Sequence, residues 1–301
     1  MSAIEQKQVT ADEAGMRLDR WFKSHYPGLG FGRLQKLLRT GQVRVDGKRA
    51  EASTRIAKGQ TVRIPPLGVE LPADDRKNAR PKSSKLIADD RKAIEDMLLF
   101  EDNQVMVLNK PAGLAVQGGS GLKRHLDGML EALRFGAAER PRLVHRLDRD
   151  TSGVMVFGLS PHAQRHLGLQ FEKRQVKKSY VARVFGALSP KTGTVDLPIA
   201  ADWPNRPRQK VCHETGRGAV TGWRVLRQGE GESRVRLMPL TGRSHQLRVH
   251  MLSLGHPILG DPLYATGKAR DFPRLMLHSE ELRLRHPDGG AGGKFRAKAP
   301  F

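Results

Sequence analysis

A short stretch around residue 148 constrains this chain more than any other. Residues 142–153, RLVHRLDRDTSG, place the Asp148 carboxylate among several arginines, directly before the apolar run 154–157. Guanidinium groups favour the ionised form of a carboxylate, which can act as a nucleophile or a base without a cofactor. Asp-Thr-Ser-Gly is also ordinary turn chemistry. The residue types alone therefore leave both a catalytic and a purely structural interpretation open.

The net charge predicts a polyanionic partner. The 301 residues carry 53 Lys and Arg against 31 Asp and Glu, a formal net charge of +22. Binding phosphates with such side chains releases counterions, although an anionic membrane surface would attract the same charge. No apolar run is long enough to span a bilayer, and the polar N-terminus lacks a signal-peptide core. We therefore expect a cytoplasmic protein with no membrane partner.

Neither a metal site nor a nucleotide site is expected. Cys212 is the only cysteine, which excludes an intrachain disulfide and a zinc site built on paired thiolates. The spacing of His245, His250 and His256 is not that of a zinc site, and no carboxylate is suitably interleaved. Glycine clusters lack the spacing of a nucleotide fingerprint. Aromatic residues make up only 5% of the chain, which weighs against a broad base-stacking platform.

Residues 16–66 are predicted to form a small α+β module. Apolar spacing indicates a helix from about residue 18 and a second from about Phe31 to Arg39, followed by a hairpin that turns at Asp46-Gly47. Residues 17–66 contain 12 basic and 3 acidic side chains. Those on the second helix share one arc, which favours RNA backbone binding over simple solvation. The predicted RNA-binding residues here are Arg33, Lys36, Arg39, Arg44 and Lys48.

The remaining boundaries follow from composition. Residues 1–15 are predicted to be a polar tail and residues 67–97 a linker, because the latter mix both charges with prolines and serines and offer few apolar side chains to pack. A larger domain spans 98–301, and its alternating segments indicate strands. Within it, residues 194–217 are predicted to form an exposed basic loop, in which Arg206, Arg208 and Lys210 alternate in a way that suits tracking a phosphate backbone.

Several segments resemble one enzyme family. Residues 145–153, HRLDRDTSG, resemble the signature of the RluA-type pseudouridine synthases, which isomerise uridine in structured RNA. Residues 109–114, the Lys-x-Tyr-x-Ala pattern at 178–182 and residues 240–264 resemble the same family, in the same order. The front module resembles a ribosomal-protein-like RNA-binding module found in many of these enzymes. The resemblance covers about residues 16–66 and 98–301.

The resemblance implies a role for each of several residues. Asp148 would be the catalytic residue, and Tyr180 would stack on the target base. Arg248, with Arg243 as the alternative, would pair with Asp148. Leu247 would pack beneath the base, and Arg146 would enter the space that the base vacates. No cofactor and no metal is implied.

The resemblance also implies a fold and a partner. The expected architecture is the α+β pseudouridine synthase fold, a large mixed but mostly antiparallel sheet with flanking helices and a central cleft, preceded by the small module. The expected partner is structured RNA, bound by a monomer. Residues 202–216 and 240–264 look most like the subgroup that modifies both large-subunit ribosomal RNA and tRNA. The front module is instead typical of the branch devoted to ribosomal RNA, so the substrate stays open between them.

Two other functions compete with this interpretation. A ribosome-assembly or RNA-chaperone factor would use the same positive charge without catalysis, although it would not need Asp148, Tyr180 and Arg248 together. An RNA hydrolase or glycosylase could also use Asp148, but such an enzyme usually needs a second carboxylate as the acid.

Overall fold

Residues 4–11, 13–67, 84–118, 124–133 and 140–301 are described by the computed structural model. The chain divides into two units, Met1–Lys82 and Ser83–Phe301, each with its own hydrophobic core. No helix in the described ranges is long and apolar enough to cross a bilayer.

The smaller unit packs two amphipathic helices on a short sheet. Helix α1 is Leu18–His25 and α2 is Phe31–Arg39, so α2 has the bounds that its apolar spacing predicts. The antiparallel sheet has the order β1-β4-β2-β3. Trp21, Phe22 and Leu34 are buried between helices and sheet. The strands are β1 (Glu5–Gln8), β2 (Arg44–Val45), β3 (Lys48–Arg49) and β4 (Thr61–Ile64).

Two predicted boundaries need correction. The predicted tail, 1–15, contains β1, which pairs with β4 from Glu5 opposite Ile64 to Gln8 opposite Thr61. Within the predicted linker, 67–97, helix α3 spans Ser84–Glu95, and Ile94 is buried in the core of the larger unit. Residues 68–83 lie outside the described ranges. The larger unit therefore includes α3 as well as 98–301.

The larger unit is organised by one mixed sheet. Its strand order is β10-β13-β14-β9-β15-β8-β6-β5, with β16 paired to β15 and β7 paired to β8. Among the strands in the described ranges, every pairing is antiparallel except β15 with β8, so the predicted mixed, mostly antiparallel α+β fold is confirmed. The strands are β5 (Leu98–Glu101), β6 (Val105–Lys110), β7 (Arg142–Leu143), β8 (Ser152–Gly158), β9 (Lys177–Phe185), β10 (Thr192–Asp196), β11 (Ile199–Ala201), β12 (Gln209–Val211), β13 (Val220–Gly229), β14 (Glu232–Pro239), β15 (Leu277–Arg285) and β16 (Gly292–Arg296).

Helices cover both faces of this sheet. Alternation along β6 and β8 sends Met106 and Met155 to the main core and Val105 and Val154 to the opposite face, as the two-residue period of a strand requires. Helix α5 covers that second face with Leu167. Strands β11 and β12 form a separate hairpin. The helices are α4 (Leu126–Met129), α5 (Pro161–Glu172) and α6 (Gln246–Ser253).

Candidate active site

Asp148 lies in the loop between β7 and β8, on the wall of a cleft of about 590 Å³. Its side chain is 23% exposed, so the carboxylate is partly shielded by protein while remaining open to a ligand. The cleft wall also includes Tyr180 from β9 and the residues that lead into α6. Strand β15 lies between β8 and β9 in the sheet, so the sheet holds the Asp148 loop and Tyr180 one strand apart.

Hydrogen bonds from the buried Lys110 side chain fix the loop that carries Asp148. The Lys110 ammonium is fully buried and donates to the carbonyls of Pro111, Leu114 and Arg149 at 2.8–2.9 Å. The Gly113 N–H donates to the same Arg149 carbonyl at 2.9 Å. Residues 109–114 therefore act as a brace that holds the backbone next to Asp148.

His145, at the start of the signature, has a structural place. Its Nε2 accepts a hydrogen bond from the Val156 N–H at 3.0 Å, and its ring stacks on Phe171 with 4.5 Å between ring centroids. Burial lowers the pKa of His145 to about 3, so the ring is neutral at physiological pH and its accepting nitrogen stays unprotonated.

Arg248 joins two carboxylates. Its Nε and Nη2 donate to Asp261 Oδ2 and Oδ1 at 2.7 and 2.6 Å, and its Nη1 lies 3.8 Å from Asp148 Oδ2. Although burial acts in the opposite direction, the hydrogen bonds and charge of Asp261 raise the pKa of Arg248 above its ordinary value. A permanent cation therefore sits beside Asp148, oriented by a carboxylate that solvent does not reach.

Tyr180 faces the same cleft as an almost buried ring. Its side chain is 9% exposed and lines the cleft together with Leu247. Burial raises the pKa of Tyr180 to about 12, although its hydrogen bond with Ser279 acts in the opposite direction. The phenol is therefore protonated at neutral pH, and its ring offers an apolar surface next to the Asp148 carboxylate.

Two further predicted arginines line the cleft in different ways. Arg146 is exposed and its Nη1 donates to Gln117 Oε1 at 3.3 Å. Arg243 donates through Nε to the Gly218 carbonyl at 3.1 Å. Among the described ion pairs of Asp148, the partner is Arg248 rather than Arg243.

Most of the charged side chains that line the described cleft are basic. Arg174, Lys178 and Arg217 add positive charge to the lining, against one carboxylate besides Asp148, that of Glu172. Burial, and then the charge of Arg174, lower the pKa of Lys178 to about 8. Such a cleft would attract a phosphate backbone and present a single shielded carboxylate to it.

The predicted basic loop forms the β11–β12 hairpin. Arg206 and Lys210 are exposed, but Arg208 is half-buried, with its guanidinium 5.3 Å from the centre of the Tyr264 ring. Two of the three residues thus keep the exposure that contact with phosphates requires. In the smaller unit, the predicted RNA-binding side chains are all exposed: Arg33, Lys36, Arg39, Arg44 and Lys48.

Sequence reasoning missed three residues of the site. Asp261 was missed because its residue type does not show that the chain after α6 brings it back to Arg248, 13 residues earlier. His245 precedes α6 with φ of +53°, a left-handed conformation that is uncommon outside glycine. The Tyr264 hydroxyl lies 2.8 Å from His245 Nδ1 and accepts from the Gln209 N–H at 2.7 Å. The unusual backbone of His245 could not be read from its residue type.

No group of three or more His, Cys, Asp and Glu side chains that could hold a metal ion occurs in the described part of the chain. The described lining of the cleft carries several arginines instead, among them Arg146, Arg217 and Arg243.

Comparison with known proteins gives a consistent family. The family model described as RNA pseudouridylate synthase matches residues 104–253, which include Asp148, Tyr180 and Arg248. The dual-specificity RNA pseudouridine synthase RluA of Escherichia coli strain K12 is 50% identical over 209 residues, 68% of this chain and 94% of the relative. RluA of Yersinia pestis is 47% identical over 209 residues, 68% of this chain and all of the relative.

A solved structure supports the same fold. Human RNA pseudouridylate synthase domain containing 4 aligns with a TM-score of 0.60 and 28% identity, and the alignment covers 72% of this chain and 93% of that chain. About a third of this chain has no counterpart in the Yersinia relative, since the whole of that relative aligns with 68% of it.

Proposed function

We propose that this chain, which belongs to the RNA pseudouridine synthases of the RluA type, isomerises specific uridines of structured RNA to pseudouridine. Asp148 is the proposed catalytic residue. The observation that carries this assignment is the partly shielded Asp148 carboxylate, 3.8 Å from the Arg248 guanidinium in a basic cleft. The enzyme is an isomerase, and the reaction adds and removes no atoms overall.

The reaction exchanges one glycosidic bond at C1′ for another and moves protons. The N1–C1′ bond of uridine breaks, the uracil turns, and a C5–C1′ bond forms while C5 loses a proton and N1 gains one. Asp148 could attack C1′ as a nucleophile or remove the C2′ proton as a base, and its pairing with Arg248 favours the ionised carboxylate that both routes need. Neither route changes an oxidation state overall, so we propose that the enzyme works without a cofactor or metal. We also propose that it acts as a monomer in the cytoplasm.

The target base would have to leave its stack to reach Asp148, because the carboxylate lies inside a cleft. Tyr180 and Leu247 would then hold the uracil by stacking and packing, and Arg146, which is exposed at the same cleft, would occupy the space left in the RNA. Extrusion costs a few kcal/mol. Loops and weakly paired segments are therefore better substrates than regular duplex.

We assign large-subunit ribosomal RNA as the main substrate and tRNA as the second. The relatives that align over about two thirds of this chain are called dual-specificity RNA enzymes, which supports two RNA classes. The smaller unit adds exposed cations on one helix and its hairpin, a pattern suited to a large, structured RNA.

Tritium release from C5-tritiated uridine tests the assignment, with ribosomal RNA and tRNA transcripts as substrates. Asp148→Asn should abolish release while leaving salt-sensitive RNA binding intact, because the phosphate contacts lie elsewhere. Asp150→Asn is the matched control: it removes a carboxylate from the same loop, one that pairs with Arg149 at 3.1 Å, and should keep turnover. Free uracil as the product would instead indicate a glycosylase. Binding by wild type without release from any transcript would favour a non-catalytic factor.

The role of the smaller unit needs a separate test. Replacing Arg33, Lys36 and Arg39 by Gln together should lower RNA affinity and flatten its dependence on salt, since each phosphate contact contributes to the salt slope. The control is a variant of the larger unit with the same change in net charge. In it, three exposed lysines are replaced by Gln: Lys191, Lys268 and Lys298. Equal losses for the two triples would show that only net charge matters.

A further inference from the structure

One exposed aromatic side chain has no place in the mechanism so far. Trp203 is 70% exposed, more than any other large hydrophobic side chain described, whereas Trp21 and Trp223 are 0% and 6% exposed. An isolated apolar residue on a surface is common and needs no function. The surroundings of Trp203 therefore decide whether it has one.

The backbone that presents Trp203 is fixed by hydrogen bonds. Trp203 lies at the tip of the β11–β12 hairpin, where the Asp202 N–H donates to the Arg208 carbonyl at 3.0 Å. The Asn205 N–H donates to the Asp202 carbonyl at 3.0 Å, and the Asn205 amide donates to the Asp202 carboxylate at 3.0 Å. A ring on such a closed tip loses little conformational entropy when a flat ligand stacks on it.

A cationic side chain also lies against the Trp203 ring. The Arg206 guanidinium lies 4.1 Å from the centre of the Trp203 ring, within the range of a cation–π contact, and Arg206 remains exposed. An aromatic ring beside an exposed cation matches the composition of sites for unpaired nucleic acid, in which a base stacks and a phosphate is neutralised.

The hairpin is tethered to the cleft that contains Asp148. The Gln209 N–H, at the base of the hairpin, donates to the Tyr264 hydroxyl at 2.7 Å, and that hydroxyl lies 2.8 Å from Nδ1 of His245 in the cleft wall. Trp203 is two residues from Ala201, which pairs with Gln209, so at most about 7 Å separates the Cα atom of Trp203 from that of Ala201 in this anchored pair.

We infer that Trp203 and Arg206 form a base-stacking site for an unpaired nucleotide of the RNA substrate, outside the cleft that receives the target uridine. The inference rests on the proposed function, because the ligand is the same RNA. Trp203 stacks on the base, and Arg206 orients the ring and pairs with a neighbouring phosphate. The anchored hairpin sets the spacing between this nucleotide and the target, so the site selects RNAs with an unpaired base at that spacing.

Steady-state kinetics test the contact. Trp203→Ala should raise KM for the RNA about 5- to 150-fold, the range expected for one stacked base, with a smaller effect on kcat, and Trp203→Phe should recover most of the loss. Leu169→Ala, which also removes an exposed hydrophobic side chain, is the control and should match wild type. Wild-type KM for Trp203→Ala would overturn the inference.

Fluorescence tests the same contact without turnover, so it stays informative if the proposed reaction is wrong. Only Trp203 among the tryptophans is exposed, so acrylamide should quench its emission selectively, and Trp203→Phe should remove that component. A stem-loop RNA with an all-uridine loop should protect the emission, whereas the same stem as a blunt duplex should not. Equal protection by both RNAs would indicate mere proximity to a phosphate backbone, and no protection by either would show that Trp203 does not meet RNA; each result would overturn the inference.

Discussion

Arg248 and Asp261 form a bidentate ion pair that is almost entirely inaccessible to solvent, with Nη2–Oδ1 and Nε–Oδ2 distances of 2.6 and 2.7 Å. Asp261 also accepts hydrogen bonds from the Leu263 and Tyr264 N–H groups. The guanidinium thus has two nitrogens committed to a rigid acceptor, and only the third, Nη1, points toward Asp148. We therefore propose that Asp261 positions Arg248 beside Asp148, the proposed catalytic carboxylate.

We expect Asp261→Asn to destabilise the protein by about 3–5 kcal/mol, because it leaves a buried guanidinium without its main counter-charge. Urea denaturation measures this loss. Adding Arg248→Met to that variant should restore part of the stability, since no unpaired charge is then buried. The double variant should still release no tritium, because Asp148 has lost its cationic partner. Recovery of turnover in the double variant would contradict the role assigned to Arg248.

Replacing Lys110 by Met should lower the free energy of unfolding by about 1–3 kcal/mol, because the three hydrogen bonds that its buried side chain donates are lost at once. Turnover should fall as well, since one of those carbonyls belongs to Arg149, next to Asp148. Lys177→Met is the control, because Lys177 is exposed on β9. Thermal or urea denaturation of both variants checks the difference, and equal stability would mean that the brace contributes little.

Affinity for RNA should decrease as the pH rises from 7 to 9. Burial, and then Arg174, lower the pKa of Lys178 to about 8, so the cleft holds this ammonium charge below that pH and loses it above. Polyanionic RNA binds the charged form more tightly. Lys178→Gln should bind more weakly at pH 7 and show a flatter pH dependence, whereas Lys177→Gln should keep the wild-type dependence. An unchanged slope in Lys178→Gln would assign the pH effect to another group.

Two glycine-to-alanine changes should have opposite effects on stability. Gly153 has φ of +115°, and a Cβ there would lie 2.2 Å from the Ser279 carbonyl oxygen, so Gly153→Ala should destabilise by about 3 kcal/mol through strain and a clash where β8 meets β15. Gly168 lies within α5 with no atom near its absent Cβ, and Gly168→Ala should stabilise by about 0.5–1 kcal/mol. Urea denaturation midpoints compare the two; tolerance of Gly153→Ala would show that β15 can shift.

Local pattern was enough to predict several elements and not others. Helix α2 and the hairpin after it follow apolar spacing and an Asp-Gly turn, both of which are local properties. Strand β1 escaped prediction because Glu5–Gln8 offers no buried side chain, and only its backbone pairs with β4. The family resemblance predicted that Asp148, Tyr180 and Arg248 lie at one site, and all three line the same cleft. Asp261 was missed because the chain must turn back after α6 to bring it against Arg248, 13 residues earlier, and such a turn leaves no periodic trace in the sequence.

The position of β15 has a consequence for the order in which this enzyme is made. The loop that carries Asp148 and the strand that carries Tyr180 are close in sequence, yet β15, made long afterwards, lies between β8 and β9. Translation supplies both sides of the cleft before the strand that sets their spacing. The Asp148 loop and Tyr180 can therefore reach their final spacing only after residues 277–285 have been made.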